Sequence, residues 1–544
     1  MVQPQGASRR GGRAPGWQGW RWVLLGLIVG AYLLAELPYL DRYPLLNYDE
    51  GEELAPAYKL ATRGIFGSDM MAGFYHAEEH VYYMMPLYLL ALGAVFRVLG
   101  TGIWQARLLS VGSGLAAVLL TFALGRALHN WAVGLLAAAV LCTLQLSLLP
   151  SESGVPLLDI ARVVRYDVMV PMWGLLGCLC FVWAHERRRL FGYAACGFCI
   201  GLAALSNAYG LLYLPLIGLC LLWVDGLAAL RGWPLVLVLL GCLLAGLPWA
   251  IYVLSAPADY IGQMTIQSSR NRFDFFDPAF YWQNLLDERY RYATWLGGHL
   301  SQPVLWPRVG IWVVAVAVPA ALVMLARRVR RSPRLADVFT FIALPLLALL
   351  LAVTTNLKIY GYFALVMPAL ALQTGFGLAE LWRVLGPALS APRLVMLAGL
   401  GLAVVEGQVG VIRNLEAGRA ATPYDELMRP IAARLAPGAR VLATHAYWLG
   451  LQPASVLSLD MPFYYSNPAY DDDEHRSLSQ AMAQFNANYI LIDSIVRATI
   501  QLPAAQDDPP LEADFWSYLA QHCSVALALP HTQYGPLTLY HCAT

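Results

Sequence analysis

The chain has 544 residues, of which 58% are hydrophobic and only 13% charged, with a net charge of +1 and a mean hydropathy of +0.54. A soluble protein of this length cannot hide that much apolar surface, so the composition excludes a water-soluble globular enzyme and indicates a polytopic α-helical membrane protein. A net charge near zero gives no reason to expect nucleic acid as a partner.

Hydropathy predicts about eleven transmembrane helices, near 22–40, 106–127, 131–150, 168–186, 191–207, 209–226, 232–254, 306–326, 337–355, 360–381 and 393–412. Arginines cluster at Arg9, Arg10, Arg13 and Arg21, at Arg126, at 187–189, at Arg231, at 327–334, and at Arg383 with Arg393. Cytoplasmic arginine orients membrane helices, and placing every cluster inside puts the N-terminus in the cytoplasm and the C-terminus outside. The Arg9-Arg10 pair also fits a twin-arginine export signal, but no small-residue cleavage site follows it, so the first span reads as an uncleaved anchor. The expected location is therefore the plasma (inner) membrane, multi-pass.

The run 81–99 is apolar enough to count as a span, yet counting it would send Arg126 and 187–189 outside. With Pro86 near its centre, it is expected to be an interfacial or re-entrant helix on the outer leaflet. The outer loops then cover 41–105, 151–167 and 255–305, and the first is too long for a mere connector. Residues 1–412 form the membrane domain. Residues 413–544 are polar enough for an extracytoplasmic soluble α/β domain, with a helix at 424–435 and strands at 440–444, 489–493, 525–529 and 537–540.

Seven cysteines, Cys142, Cys178, Cys180, Cys196, Cys199, Cys220 and Cys242, fall in predicted spans and read as small apolar residues. Cys523 and Cys542 form the outer pair and suit a disulfide in an oxidising compartment, with free thiols as the alternative.

Asp49 and Glu50 follow the first span. A carboxylate pair there costs several kcal/mol in contact with lipid, so it should face a cavity or water. Helix capping competes with a catalytic role for Asp49, and Glu52 and Glu53 beside Glu50 suggest a solvated helix start. Asp167 with Arg165 reads either as chemistry or as an ion pair. Arg270, Arg272, Arg289 and Arg291 lie among aromatic residues in the third outer loop, suited to phosphate or lipid headgroups. Of 36 basic residues only Lys59 and Lys358 are lysines. Lys358, beside Tyr360 and Tyr362 at a membrane margin, suits a phosphate, whereas Lys59 reads as a surface charge. His76-Ala77-Glu78-Glu79-His80 fits the H-x-x-E-H pattern of zinc peptidases if it is helical, and a divalent metal on His80, Glu79 and His299 is a further alternative. The acidic run 471–474 needs no calcium to explain it as a helix start.

The order of these motifs carries a resemblance. It consists of the acidic pair, the aromatic-proline stretch Tyr82-Tyr83-Met84-Met85-Pro86-Leu87-Tyr88, Gln105-Ala106-Arg107-Leu108, Arg165-Tyr166-Asp167, and Lys358-Ile359-Tyr360-Gly361-Tyr362. Over about residues 22–412 the chain resembles the GT-C glycosyltransferases of the protein O-mannosyltransferase and lipid A aminoarabinose transferase type. The resemblance implies a polyprenyl-phosphate sugar as donor, transfer to a lipid, glycan or protein acceptor at the outer face, and a base or acceptor-positioning role for Asp49. Met85 stands where relatives often carry lysine, so His76, His80 or an arginine would have to compensate.

The chemistry is intelligible without the family. A glycosyl phosphate is already activated, so the enzyme must take a proton from an acceptor hydroxyl and stabilise the departing phosphate. One displacement at the anomeric carbon inverts it, and general-base help is typically worth about 10²–10⁴-fold. The catalytic candidates are Asp49, Glu50 and Asp167. The donor-phosphate candidates are Lys358, Arg165, Arg270, Arg272, His76, His80 and Tyr362. A lipid flippase or other transporter is the alternative class, although no internal repeat is evident.

Overall fold

The computed structural model describes residues 19–146, 153–271, 276–295, 308–386, 390–466, 477–500 and 510–543. Arg9, Arg10, Arg13, Arg272, His299 and the acidic run 471–474 lie outside them, as does the side chain of Arg270.

Helix α1 (Gly19–Glu36) leads into two loop helices, α2 (Tyr48–Arg63) and α3 (Pro86–Leu99). There follow α4 (Ile103–Leu128), α5 (Trp131–Thr143), α6 (Pro156–Ala161), α7 (Met169–Arg187), α8 (Leu190–Ser206), α9 (Tyr213–Asp225), α10 (Ala228–Arg231) and α11 (Trp233–Val253). After α12 (Pro257–Asn271) and α13 (Pro278–Trp295), the membrane region closes with α14 (Val309–Arg331), α15 (Leu335–Thr354), α16 (Met367–Val384) and α17 (Ala391–Ala420).

A helix stands at each of the eleven predicted spans, and among the described residues eight of them are long and apolar enough to cross a membrane, α5, α8 and α16 being the other three. α5 and α8 are shorter. α5 is apolar on all sides because it is wedged between α4 and α16, which leaves no polar face to show. α17 continues to Ala420, past the predicted end at 412.

α3 has 14 residues, about 21 Å of helix against a hydrocarbon core of about 30 Å. It packs on α2, with Gly93 against Leu60 and Ala57. Pro86 is its first helical residue, where the missing N–H costs nothing, so the proline opens the helix and does not break its middle.

Beyond α18 (Tyr424–Ala432) lies a five-stranded sheet of order β2-β1-β3-β5-β4. The strands are β1 (Arg440–Ala443), β2 (Ser455–Ser458), β3 (Tyr489–Ile492), β4 (Cys523–Leu529) and β5 (Leu537–Cys542). β1 runs parallel to β2 and β3, while β5 is antiparallel to β3 and β4. β3 is central and buried throughout. Short helices α19 (Asp460–Ser466), α20 (Leu478–Gln484), α21 (Ser494–Ile500) and α22 (Pro510–His522) complete the module. β2 was not predicted. Cys523 and Cys542 face each other across β4 and β5 and are joined by a disulfide.

Two apolar cores result. One fills the helix bundle; the other joins α2 and α3 to the sheet and its helices. The join is direct. Tyr48 stacks on His445 with ring centroids 4.1 Å apart, and Tyr58 meets Trp448 edge-on at 5.3 Å. A Cβ on Gly51 would lie 2.0 Å from the His445 carbonyl oxygen, so only glycine lets α2 sit this close.

Candidate active site

α2 starts with a capping box: the Asn47 side chain accepts from the Glu50 N–H at 2.9 Å, and Glu50 accepts from the Asn47 N–H at 3.1 Å. The cap is therefore Asn47, which leaves Asp49 without a capping duty. Glu50 is fully buried, and both its oxygens are bound by Arg107 at 2.8 Å. It also accepts from the Val164 N–H at 2.8 Å. With these donors around it, Glu50 ties α2 to α4 and has no face toward a substrate. This corrects both the catalytic expectation for Glu50 and the reading of a solvated helix start.

Asp49 points the other way. Its side chain is 51% exposed, and Oδ2 accepts from Arg165 Nη1 at 3.0 Å. Arg165 Nε is held by Asp167 Oδ2 at 2.7 Å, and Asp167 Oδ1 accepts from Asn207 Nδ2 at 3.3 Å. A Cβ on Gly361 would lie 2.9 Å from both Arg165 Nε and Asp167 Oδ2, so the glycine of the Tyr-Gly-Tyr motif makes room for this pair. Asp167 is only 2% exposed and sits behind the guanidinium.

Asp49, Arg165 and Tyr362 open onto a cavity of about 590 Å³. Its polar wall adds Glu52, Glu53, Asn207 and Thr355, and its apolar wall includes Met84, Met85, Leu211, Leu212 and Ile359. Tyr209 packs on Tyr362 with ring centroids 4.3 Å apart. Glu53 lies one helical turn after Asp49, is 1% exposed, and its Oε2 has no hydrogen-bond partner. Burial pushes its carboxyl well above the usual carboxylate range, with Arg165 pulling the other way. Sequence reasoning missed Glu53, although the four-residue spacing from Asp49 puts both on one helix face.

Other candidates fall elsewhere. Lys358 does not border the cavity. Its ammonium faces Glu288 at 3.0 Å and donates to the carbonyls of Ala352 and Thr355 at 2.9 and 2.6 Å. Buried Arg291 also binds Glu288, at 2.8 Å, and donates to the Ile359 carbonyl and Thr355 Oγ1. Together they fasten α13 to the segment after α15, which is a structural use of Lys358. Lys59 is buried, paired with Asp69 and donating to the Glu78 carbonyl at 2.6 Å, and is not a surface charge.

His76 lies in a turn with φ of 53° and His80 just past that turn, so they do not share the helix face that zinc ligation by H-x-x-E-H needs. His76 Nδ1 meets Asp259 at 2.9 Å, which raises its pKa, and His80 Nδ1 meets the Tyr252 hydroxyl at 3.2 Å. Neither histidine borders the cavity. Among the described residues no group of three His, Cys, Asp or Glu side chains is gathered for a metal.

No protein-family model and no curated protein sequence matches the chain. Solved structures do. ArnT from Cupriavidus metallidurans bound to undecaprenyl phosphate aligns with a TM-score of 0.59 at 14% identity, covering 97% of this chain and 99% of ArnT. The Archaeoglobus fulgidus oligosaccharyltransferase aligns at 0.53 and 14% identity, covering 88% of this chain and 70% of that one. The same archaeal enzyme, AglB, in complex with an inhibitory peptide and a dolichol-phosphate aligns at 0.53 and 13% identity. At such identities the likeness speaks to architecture, and the architecture of this chain is the GT-C fold.

Proposed function

We propose that the protein is a membrane glycosyltransferase that moves a sugar from a polyprenyl-phosphate donor to an acceptor hydroxyl at the outer face of the membrane, with inversion. The observation that carries this reading is the Asp49–Arg165 contact at the wall of a cavity walled on one side by apolar residues. A hydroxyl beside Asp49 can lose its proton to the carboxylate as its oxygen attacks the anomeric carbon. The bond from that carbon to the phosphate oxygen breaks in the same displacement, and the negative charge left on the phosphate lies within reach of Arg165. Fixed charge of this kind acts without reorganisation during the reaction. Asp167 keeps the guanidinium oriented, and Met84, Met85, Leu211 and Leu212 offer an apolar face to the first isoprene units. Bound undecaprenyl phosphate in ArnT and dolichol-phosphate in AglB support a lipid phosphate as the donor's carrier.

The reading includes a topology: N-terminus in the cytoplasm, residues 413–544 outside, in the plasma (inner) membrane. The Cys523–Cys542 disulfide supports it, since such bonds persist in oxidising compartments.

Purified protein incubated with radiolabelled undecaprenyl-phosphate sugars and envelope lipid or peptide acceptors tests the activity. Asp49→Asn is expected to keep its thermal unfolding midpoint while turnover falls by roughly two decades or more. Unchanged turnover in that variant would remove Asp49 from the chemistry.

A further inference from the structure

We propose that Glu53 acts as an uncharged hydrogen-bond donor to the phosphate headgroup of the donor lipid, supplying the contact that a second cation would otherwise make. This deepens the transferase reading and rests on it.

The argument starts from charge. Among the described residues bordering the cavity, three are acidic (Asp49, Glu52 and Glu53) and Arg165 is the one cation. That guanidinium already faces two carboxylates, Asp49 at 3.0 Å and Asp167 at 2.7 Å. Met85 contributes no charge, and Lys358 is engaged by Glu288. If every acid were ionised, an anionic headgroup would enter a wall with more negative than positive charge. Removing one of those charges while gaining a donor resolves the conflict.

Glu53 is the acid whose surroundings favour this. It is 1% exposed, borders the cavity, and has Oε2 unpartnered, whereas equally buried Glu50 has both oxygens filled by Arg107. A buried carboxylate without donors is costly, whereas the protonated acid carries a hydrogen that it can donate. The charged and titratable groups facing it are Asp49 and Glu52 on its own helix, Tyr88 on α3, and Arg165, Tyr166 and Asp167 from the segment leading into α7. The negative charges of Asp49, Glu52 and Asp167 add to burial in holding the proton on Glu53, and Arg165 alone opposes them. Because the folded-state pKa lies above the ordinary one, the donating form is complete at low pH. It is lost as pH rises through the raised value.

The test uses the full chain in detergent or nanodiscs, with undecaprenyl phosphate as the probe. Infrared difference spectra between the parent chain and Glu53→Gln should show a carboxylic-acid carbonyl band that the substitution deletes and that fades with rising pH. Binding of undecaprenyl phosphate should weaken at alkaline pH in the parent chain and lose that limb in Glu53→Gln, whose amide still donates. Glu53→Ala should bind roughly tenfold or more weakly at every pH. If Glu53→Gln binds as poorly as Glu53→Ala, or if the carbonyl band is absent, the assignment of Glu53 is overturned while the transferase reading stands. If the folded parent chain binds no undecaprenyl phosphate at any pH, the transferase reading falls, and the headgroup role with it.

Discussion

Glu50 and Glu53 are three residues apart on α2, equally buried, and differ in what surrounds them. Arg107 compensates Glu50 fully, so its carboxylate is a structural charge. Removing one member of such a buried pair leaves the other charged and unsatisfied, which typically costs 3–5 kcal/mol. Glu50→Ala is therefore expected to lower the thermal unfolding midpoint and the yield of folded protein, a loss that Asp49→Asn does not share. Unfolding followed by intrinsic fluorescence in one detergent separates the two variants. The same distinction revises Lys358: Lys358→Ala should release α13, seen as faster proteolysis within 278–295, because its partners are Glu288 and two carbonyls.

At the scale of elements, one amide makes four hydrogen bonds between α12 and the loop before α3. Gln263 Oε1 accepts from the N–H groups of Tyr82 and Tyr83 at 2.8 and 3.2 Å, and Nε2 donates to the carbonyls of Tyr75 and His80 at 3.0 and 2.8 Å. Gln263→Ala leaves buried backbone groups without partners, at about 1–3 kcal/mol. Faster amide exchange at 75–83 and along α12 is the expected result, and unchanged exchange would show that the ring contacts of Tyr82 with Trp249, Tyr252 and Tyr260, together with the His76–Asp259 contact, hold the helix without it. The His76–Asp259 contact beside it is complete at low pH and weakens as pH rises through the raised histidine pKa.

What sequence reading recovered at this scale follows from periodicity. Long apolar runs between arginines define helices whatever they pack against, and short apolar runs near 440, 489, 525 and 537 were visible as strands. β2 was not, because Ser455-Val456-Leu457-Ser458 sets only two apolar residues between serines. Asp49 and Arg165 were legible as polar residues at a membrane margin. The burial of Glu50, Glu53 and Lys59 was not, because their surroundings come from distant chain: Arg107 on α4, the 162–168 segment, and the turn at Glu78. The H-x-x-E-H pattern misled because ligand spacing presumes a helix that residues 75–79 do not form.

For the whole molecule, the proposed topology makes a direct prediction. A C-terminal alkaline phosphatase fusion should be active and a cytoplasm-dependent fluorescent fusion at the same point dark. The reverse would mean that α3 crosses as well, or that one helix counted as a span, α5 or α8 by length, does not.

The seating of α2 on the sheet sets an order of events. Parallel strands offer the groups at their C-terminal ends to ligands in many α/β proteins. Here Thr444 and His445 follow the end of β1 and Ser458 ends β2, and Tyr48 and Gly51 of α2 lie on His445. Asp49 is thus made well before the support at His445. At roughly 5–20 residues per second, that helix waits on the order of tens of seconds for its seat. Throughout that interval α2 has α3 and Arg107 beside it but no sheet beneath it, so membrane insertion is finished before that seat is in place.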